Sequence, residues 1–376
     1  MKIGIVCYPT FGGSGVVATE LGMALADHGH EVHFITYNLP VRLDFISHNL
    51  HFHEVMMEEY PLFEYQPYEL ALSSRMVEVV EKYKLEVLHV HYAIPHAYAA
   101  YMAKQMLKAK GIEIKIVTTL HGTDITLVGS HPNYKTAVEF SINNSDVVTA
   151  VSKSLKEDTL RLFNISKEIA VVYNFIDVDK YDKESKKDCQ RSALARPEER
   201  ILTHVSNFRP VKRTSDVIRI FEIIQRTIPS KLLMVGDGPD KRKAEILAKK
   251  LGIADKVIFL GNSNEVARVL CYSDLFILPS ETESFGLAAL EAMAAKTAII
   301  STNVGGLPEV TVHGETGFLS AIGDVNDMAE NALKILKDDA ILEQFKSNAK
   351  AHAKQFSLKN ILPVYEDIYT SCSVKV

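Results

Sequence analysis

The 376-residue chain reads as an α/β protein made of two Rossmann-like domains with parallel sheets. Three observations predict this. Short apolar, β-branched runs alternate with helical patterns along the whole length, and the alternation falls into two series separated by a charged stretch. The length also exceeds what one hydrophobic core ordinarily holds.

The strands expected in the first series are KIGIVCY, EVHFIT, EVLHVHY, KIVTTL, DVVTAV and IAVVYN. Helices are expected between them, as over 15–28, 95–110 and 153–163. A second series follows Asn174 with RILTHVSN, KLLMVGD, KVIFLG, DLFILPS and TAIIST. Between the two lies FIDVDKYDKESKKDCQRSALARPEER, charged and without an apolar period, which reads as a linker with a lead-in to the second domain. The expected domains are 1–173 and 174–355, with a further helical pattern over 356–369.

Composition is that of an ordinary globular protein, 47% hydrophobic and 24% charged. No apolar run approaches the roughly 20 residues of a membrane span, and MKIGIVCYP enters a strand directly, without a signal-peptide layout. Cys7, Cys189, Cys271 and Cys372 have no paired spacing, which speaks against a disulfide framework or zinc knuckle and for a reduced, cytoplasmic setting. Net charge is −5; residues 1–173 hold 14 basic against 19 acidic side chains, and the remainder is balanced. That excludes the basic face a nucleic acid requires and argues against stable docking on an anionic membrane.

The most informative stretch is PSETESFGLAALEAMAA, residues 279–295. Glu283 stands just before a helix and Glu291 within it. Ala, Leu and Met make that helix a buried one, where a carboxylate is costly without a partner. Ser284 can cap the helix, leaving the amides of Phe285, Gly286 and Leu287 pointing outward as an anion site. Eight residues of helix cover roughly 12 Å, about the reach from a sugar ring across a diphosphate to a ribose. The physical reading is a nucleotide-sugar clamp; the plain alternative is a parallel-sheet helix with two incidental glutamates.

After the first strand, Pro9-Thr10-Phe11-Gly12-Gly13-Ser14-Gly15 opens a helix. Gly13 and Gly15 let the backbone approach a ligand closely. The spacing is not G-x-G-x-x-G, and EVHFITYN ends without the acidic residue that grips a dinucleotide ribose, so a nicotinamide dehydrogenase is disfavoured.

A departing nucleoside diphosphate needs positive charge. Arg209 and Lys212, in SNFRPVKR after the strand that opens the second domain, occupy the edge where α/β sheets place ligands. Asp177-Val178-Asp179 is the only Asp-x-Asp candidate for a metal and falls in the linker. Val235-Gly236-Asp237-Gly238-Pro239 is a turn at the end of the next strand.

Eleven of fourteen histidines fall in the first domain. His51/His53 and His89/His91 have i,i+2 spacing on strands, which can chelate, but without an accompanying Glu or Cys cluster they read as satisfied or exposed. His121 ends KIVTTL at the ligand edge. Tyr92 and Thr119 end neighbouring strands, and with Ser14 they offer hydroxyls to a small anionic acceptor.

Across essentially the whole chain, the S-F-G turn, the two glutamates with E-A-M-A, the Arg/Lys loop and the G-x-G-P turn resemble the retaining glycosyltransferases of family 4. The resemblance implies the GT-B fold: two Rossmann-like domains facing across a cleft, the last helix (356–376) packing back on the first. It implies that Glu283 holds donor-sugar hydroxyls, Glu291 the ribose, Arg209 and Lys212 the diphosphate, and His121 the sugar near the reacting carbon. Gly13, Gly15, Gly236, Gly286 and Leu287 would line the phosphates and nucleotide, and Asp177-Val178-Asp179 would match a structural turn, not a metal site. Arg213 is the alternative to Lys212, because the separation from Arg209 is shorter than the family's usual one.

The runs CYPTFGGSGVVATELG, HYAIPHAYAAYMAKQML, TTLHGTDIT and HVSNFRPVKR resemble one subgroup. That likeness implies transfer of N-acetylglucosamine from UDP-GlcNAc to the hydroxyl of L-malate, with retention and without a metal, at the start of bacillithiol synthesis. Rival expectations are an inositol phosphate or lipid acceptor, a UDP-sugar 2-epimerase, and a non-catalytic binding module. The sequence is compatible with a homo-oligomer and does not specify one.

Overall fold

The structure is a computed structural model that describes residues 1–10, 12–43, 47–57, 65–181, 191–263 and 265–372. The chain divides into two compact units, residues 1–174 with 359–376, and residues 175–358.

Unit 1 is built on seven strands: β1 (Lys2–Val6), β2 (Glu31–Thr36), β3 (Leu50–Glu54), β4 (Val87–His91), β5 (Lys115–Leu120), β6 (Val147–Ala150) and β7 (Ile169–Val171). They lie in the order β3-β2-β1-β4-β5-β6-β7, all parallel. Helices cover both faces of such a sheet, so its strands read as nearly continuous apolar runs, as KIGIV and KIVTTL do. The helices are α1 (Gly13–Asp27), α2 (Tyr68–Tyr83), α3 (Tyr98–Lys108), α4 (Pro132–Asn143) and α5 (Lys153–Leu162). Met76, Val80, Leu88, Val90, Ala100 and Leu107 belong to one buried cluster of this unit.

Unit 2 repeats the plan with six parallel strands: β8 (Arg200–Val205), β9 (Ser230–Val235), β10 (Val257–Gly261), β11 (Leu275–Leu278), β12 (Ala298–Thr302) and β13 (Gly317–Ser320). Their order is β10-β9-β8-β11-β12-β13. The helices are α6 (Thr214–Thr227), α7 (Lys241–Lys250), α8 (Val266–Leu270), α9 (Leu287–Ala294), α10 (Leu307–Val310), α11 (Val325–Leu336) and α12 (Asp339–Ala353). The final helix, α13 (Leu358–Cys372), belongs to unit 1 beyond its first residue. At the crossing, Ile176 N–H donates to Phe356 O and Leu358 N–H to Ile176 O, at 3.1 and 2.9 Å.

Three expectations are corrected. β3 and β13 are strands that the apolar runs did not announce: LHFHE interleaves histidines, and GFLS is only four residues long. The helix expected over 95–110 divides at its start: residues 93–97 form a π-helical turn in which only Ile94 departs from helical geometry, and α3 continues from it over Tyr98–Lys108. Cys271 is disulfide-bonded, while Cys7 and Cys372 are free thiols; spacing along the chain does not report proximity in the fold. Residues 182–190, including Cys189, lie outside the described residues. No helix among the described residues is long and apolar enough to cross a membrane.

Candidate active site

In each sheet the chain order reverses once, and at that point two adjacent loops leave the carboxyl ends of neighbouring strands in opposite directions. In unit 2 the reversal lies between β8 and β11. The loop after β8 carries Arg209 and Lys212, and the loop after β11 carries Glu283. A backbone bond joins them, Glu281 N–H to Val211 O at 2.8 Å.

Lys212 Nζ meets Glu283 Oε1 at 2.5 Å, and Ser280 Oγ donates to the same oxygen at 2.9 Å. Arg209 is exposed, and its guanidinium has no hydrogen-bond or ion-pair partner among the described residues. Arg213 is bound differently: its Nε donates at 2.6 Å to Asp216, a buried carboxylate. The structure therefore commits Arg213 to its own helix and leaves Lys212 facing Glu283. His204, on β8, is fixed between Ile277 O and Ser206 Oγ at 2.8 and 2.7 Å. Burial pushes it down to about 4, so it is neutral.

Two further loops complete this edge. Gly236 (φ +121°) passes so close to the β8 loop that a Cβ would lie 1.8 Å from Ser206 O. After β12, Gly306 N–H donates to Glu283 O at 2.9 Å, and a Cβ on Gly305 (φ +53°) would lie 1.8 Å from that oxygen. Gly305 and Gly306 were missed in the sequence; the G-G pair after TAIIST was the available signal.

The start of α9 differs from expectation. Its N-cap residue is Gly286 (φ +94°), in a left-handed conformation, and not Ser284. The left-handed turn at Gly286 lets Phe285 bury its ring edge-on to Phe356, 5.6 Å between centroids. The helix begins four residues past Glu283. The helical span to the buried Glu291 therefore runs only from Leu287, roughly 6 Å instead of 12 Å. Leu287 heads the helix with its N–H among the first, which have no intrahelical acceptor.

In unit 1 the reversal lies between β1 and β4, and Ser14 and Tyr92 span it, Oγ to hydroxyl oxygen at 2.6 Å. Gly13 is exposed at the start of α1. Gly15 packs against the β1 loop, where a Cβ would lie 2.5 Å from Tyr8 O. Tyr92 (φ +88°) donates its N–H to Thr119 O at 2.8 Å.

His121 is buried next to His91, Nε2 to Nδ1 at 2.8 Å, and burial pushes it down to about 3. It is a neutral ring and cannot serve as a cation. Asp124, which the sequence reading passed over within HGTD, accepts from Ala93, His121 and Gly122 N–H at 2.8, 3.2 and 2.9 Å. It thereby ties the β4 and β5 loops together. Burial pushes its carboxyl up to about 6 against the pull of those amides.

Thr119 does not face an acceptor. It is fully buried, and its hydroxyl bridges His89 Nε2 and Thr149 Oγ1 at 2.8 and 2.7 Å. His89 Nδ1 in turn bonds the Tyr369 hydroxyl of α13 at 2.7 Å. Asp177 Oδ1 accepts from Asp179 N–H at 3.1 Å, a local turn at the start of a helix. The expectation that no carboxylate accompanies the strand histidines is also corrected: Glu31 lies with His33 and His51.

Comparison with known proteins bears on this arrangement. A model described as Glycosyltransferase Family 4 matches residues 11–180, and one described as Glycosyl transferases group 1 matches residues 185–352. The chain is 50% identical over 370 residues to N-acetyl-alpha-D-glucosaminyl L-malate synthase of Bacillus anthracis, covering 98% of this chain and 96% of that one. Among solved structures, sucrose-phosphate synthase from Thermosynechococcus elongatus superposes with a TM-score of 0.80 at 20% identity, covering 98% of both chains. Anabaena HepE in complex with UDP and glucose gives 0.80 at 19% identity, covering 99% of this chain and 100% of that one. These two likenesses give the fold, a GT-B pair of Rossmann-like units. The chain is a glycosyltransferase and belongs to glycosyltransferase family 4.

Proposed function

We propose that the protein transfers N-acetylglucosamine from UDP-GlcNAc to the hydroxyl of L-malate, with retention at the anomeric carbon, as the first step of bacillithiol synthesis. The observation that carries this reading is the gathering of Arg209, Lys212 and Glu283 at the strand-order reversal of unit 2. The full-length likeness to the Bacillus anthracis synthase supports donor and acceptor.

Residues 174–355 act as the donor domain. Arg209 and Lys212, with the Gly286–Leu287 helix start, draw off the charge that grows on the diphosphate. Gly236 shapes the nucleotide pocket and Glu291 holds the ribose. Glu283 holds sugar hydroxyls, and His121 contacts the sugar as a neutral ring. Residues 1–173 act as the acceptor domain, Gly13 and Gly15 presenting backbone amides and Ser14 with Tyr92 positioning malate. Malate's hydroxyl oxygen forms the new bond to the anomeric carbon on the face from which UDP departs. The carbon–oxygen bond to UDP takes its electron pair with it, and the malate proton passes to the leaving phosphate oxygen. Side-chain cations perform the charge neutralisation, so no metal is required, and we place the reaction in the cytoplasm.

The test is UDP release from UDP-GlcNAc with L-malate, an inositol phosphate or no acceptor, before and after exhaustive EDTA treatment. Release with malate alone, undiminished by EDTA, is expected. Donor turnover without acceptor would mark an epimerase, release with the inositol phosphate would reassign the acceptor, and loss restored by Mg²⁺ would overturn the metal-free account.

A further inference from the structure

The end of the unit 1 sheet opposite its ligand-side loops carries a cluster of metal-binding side chains. Glu31 opens β2, and His33 follows two residues later on the same face. His33 stands directly opposite His51 in the β2–β3 register, and His53 follows on that face. The His33 and His51 rings stack with centroids 4.5 Å apart. Tyr83 of α2 closes over them, 4.6 Å from His33 and 5.0 Å from His53.

We propose that Glu31 Oε1, His33 Nε2 and His51 Nε2 bind one first-row divalent transition ion, of the zinc class. His33 Nε2 lies 3.1 Å and His51 Nε2 3.7 Å from Glu31 Oε1, and the three ligand atoms all lie within 4.8 Å of one another. A tetrahedral ion with bonds of 2.0–2.1 Å separates its ligands by roughly 3.4 Å, a value that the two distances to Glu31 Oε1 bracket. Two imidazoles and one carboxylate suit zinc, cobalt or nickel better than calcium or magnesium.

Partners outside the triad hold it in shape. His33 Nδ1 pairs with His53 Nε2 at 2.9 Å, and Glu31 Oε2 accepts from Lys2 Nζ at 2.9 Å. With Nε2 on the ion, His33 carries its proton on Nδ1 and donates it to His53, the second partner that fixes a ligating ring. Side chains of Glu31 and His51 are 29% and 36% exposed, so an ion enters from solvent and keeps its fourth position for water. Lys2 shares the carboxylate, which makes the site one of modest affinity. Its effect is structural, because it clips β3, the edge strand, to β2 at the end of the sheet away from Ser14 and Tyr92.

The test uses the full chain stripped of metal and titrated with Co²⁺, then with Zn²⁺ in competition. Expected are one ion per chain, the visible absorption bands of tetrahedral cobalt, and a thermal midpoint raised by a few degrees, with UDP release unchanged. His51→Ala removes an exposed ligand and should weaken binding about a hundredfold, and His53→Gln about tenfold. Glu31→Gln, checked for folding by circular dichroism without metal, should match His51→Ala. Absence of saturable one-to-one binding, or equal affinity in His51→Ala and the parent, overturns the proposal.

Discussion

Lys212 Nζ and Glu283 Oε1 lie 2.5 Å apart at the one place in unit 2 where strand order reverses, on loops 71 residues apart in sequence. The cation proposed for the diphosphate and the carboxylate proposed for the sugar hold each other in position. Both side chains are mostly shielded, 20% and 13% exposed. Lys212→Ala therefore has two effects: it strips charge from the leaving group and leaves Glu283 without its counter-ion. Turnover should fall about 10²–10³-fold, the loss expected for one group stabilising a growing anion. The thermal midpoint should fall as well. Steady-state UDP release with calorimetry checks both, and unchanged turnover would remove Lys212 from the chemistry.

Arg209→Ala should separate those effects. Its guanidinium is exposed and unpartnered among the described residues, so stability should stay within about 0.5 kcal/mol. Turnover should still fall about a hundredfold or more. A large stability loss with normal turnover would make Arg209 a structural residue.

Gly305→Ala tests the support of Glu283 from behind. The new methyl would lie 1.8 Å from the Glu283 carbonyl oxygen, and the residue has φ +53°, a conformation costing an L-residue roughly 1–2 kcal/mol. The loop must shift and carry Glu283 with it. We expect a raised KM for the nucleotide sugar and a lowered kcat, measured with malate saturating. An unaltered KM would show that Glu283 is held without this turn.

Unit 1 should lose stability in mild acid. His89 and His121 are pushed down to about 3 and His96 to about 4, each chiefly by burial, and His91 goes the same way. Folded values below the ordinary 6.5 mean that the unfolded chain takes up protons the folded one refuses. The stability these rings contribute is full above about pH 6.5 and drains away as pH falls toward 3. Asp124 runs the other way: its folded value, raised to about 6, gives a contribution present below 3.8 and lost as pH rises through 6. His33 and His53 of the same unit are likewise pushed down to about 4 by burial, so one aspartate opposes six histidines and the net effect is loss of stability as pH falls. Thermal midpoints between pH 7.5 and 5.5 should fall with pH; a flat or rising profile contradicts this account.

Much of this was legible in the residues. Apolar runs marked most strands because parallel strands are buried on both faces, and that periodicity survives without tertiary information. Arg209, Lys212 and Glu283 were readable because sheet topology delivers strand ends to one edge. Thr119 was misread for the same reason: the last residues of a strand are ambiguous between ligand edge and core, and only His89 and Thr149 decide it. Gly305 had a local signal in its G-G pair, whereas the roles of Asp124 and the Glu31 cluster depend on contacts between distant segments, Ala93 with Asp124 and His51 with Glu31. Ser284 looked like a cap because serine usually is one; Gly286 and the burial of Phe285 set a different geometry.

The hydrogen bond from His89 to Tyr369 has a consequence for biogenesis. Unit 2 is contiguous, whereas unit 1 is finished by residues 359–376. A ribosome making this polypeptide exposes the first half long before it can be completed, and the later-made unit has every segment it needs sooner. The order in which the two units acquire their last segments is thus inverted relative to the order in which they are begun, and nascent unit 1 waits for its closing helix through a whole domain's worth of elongation.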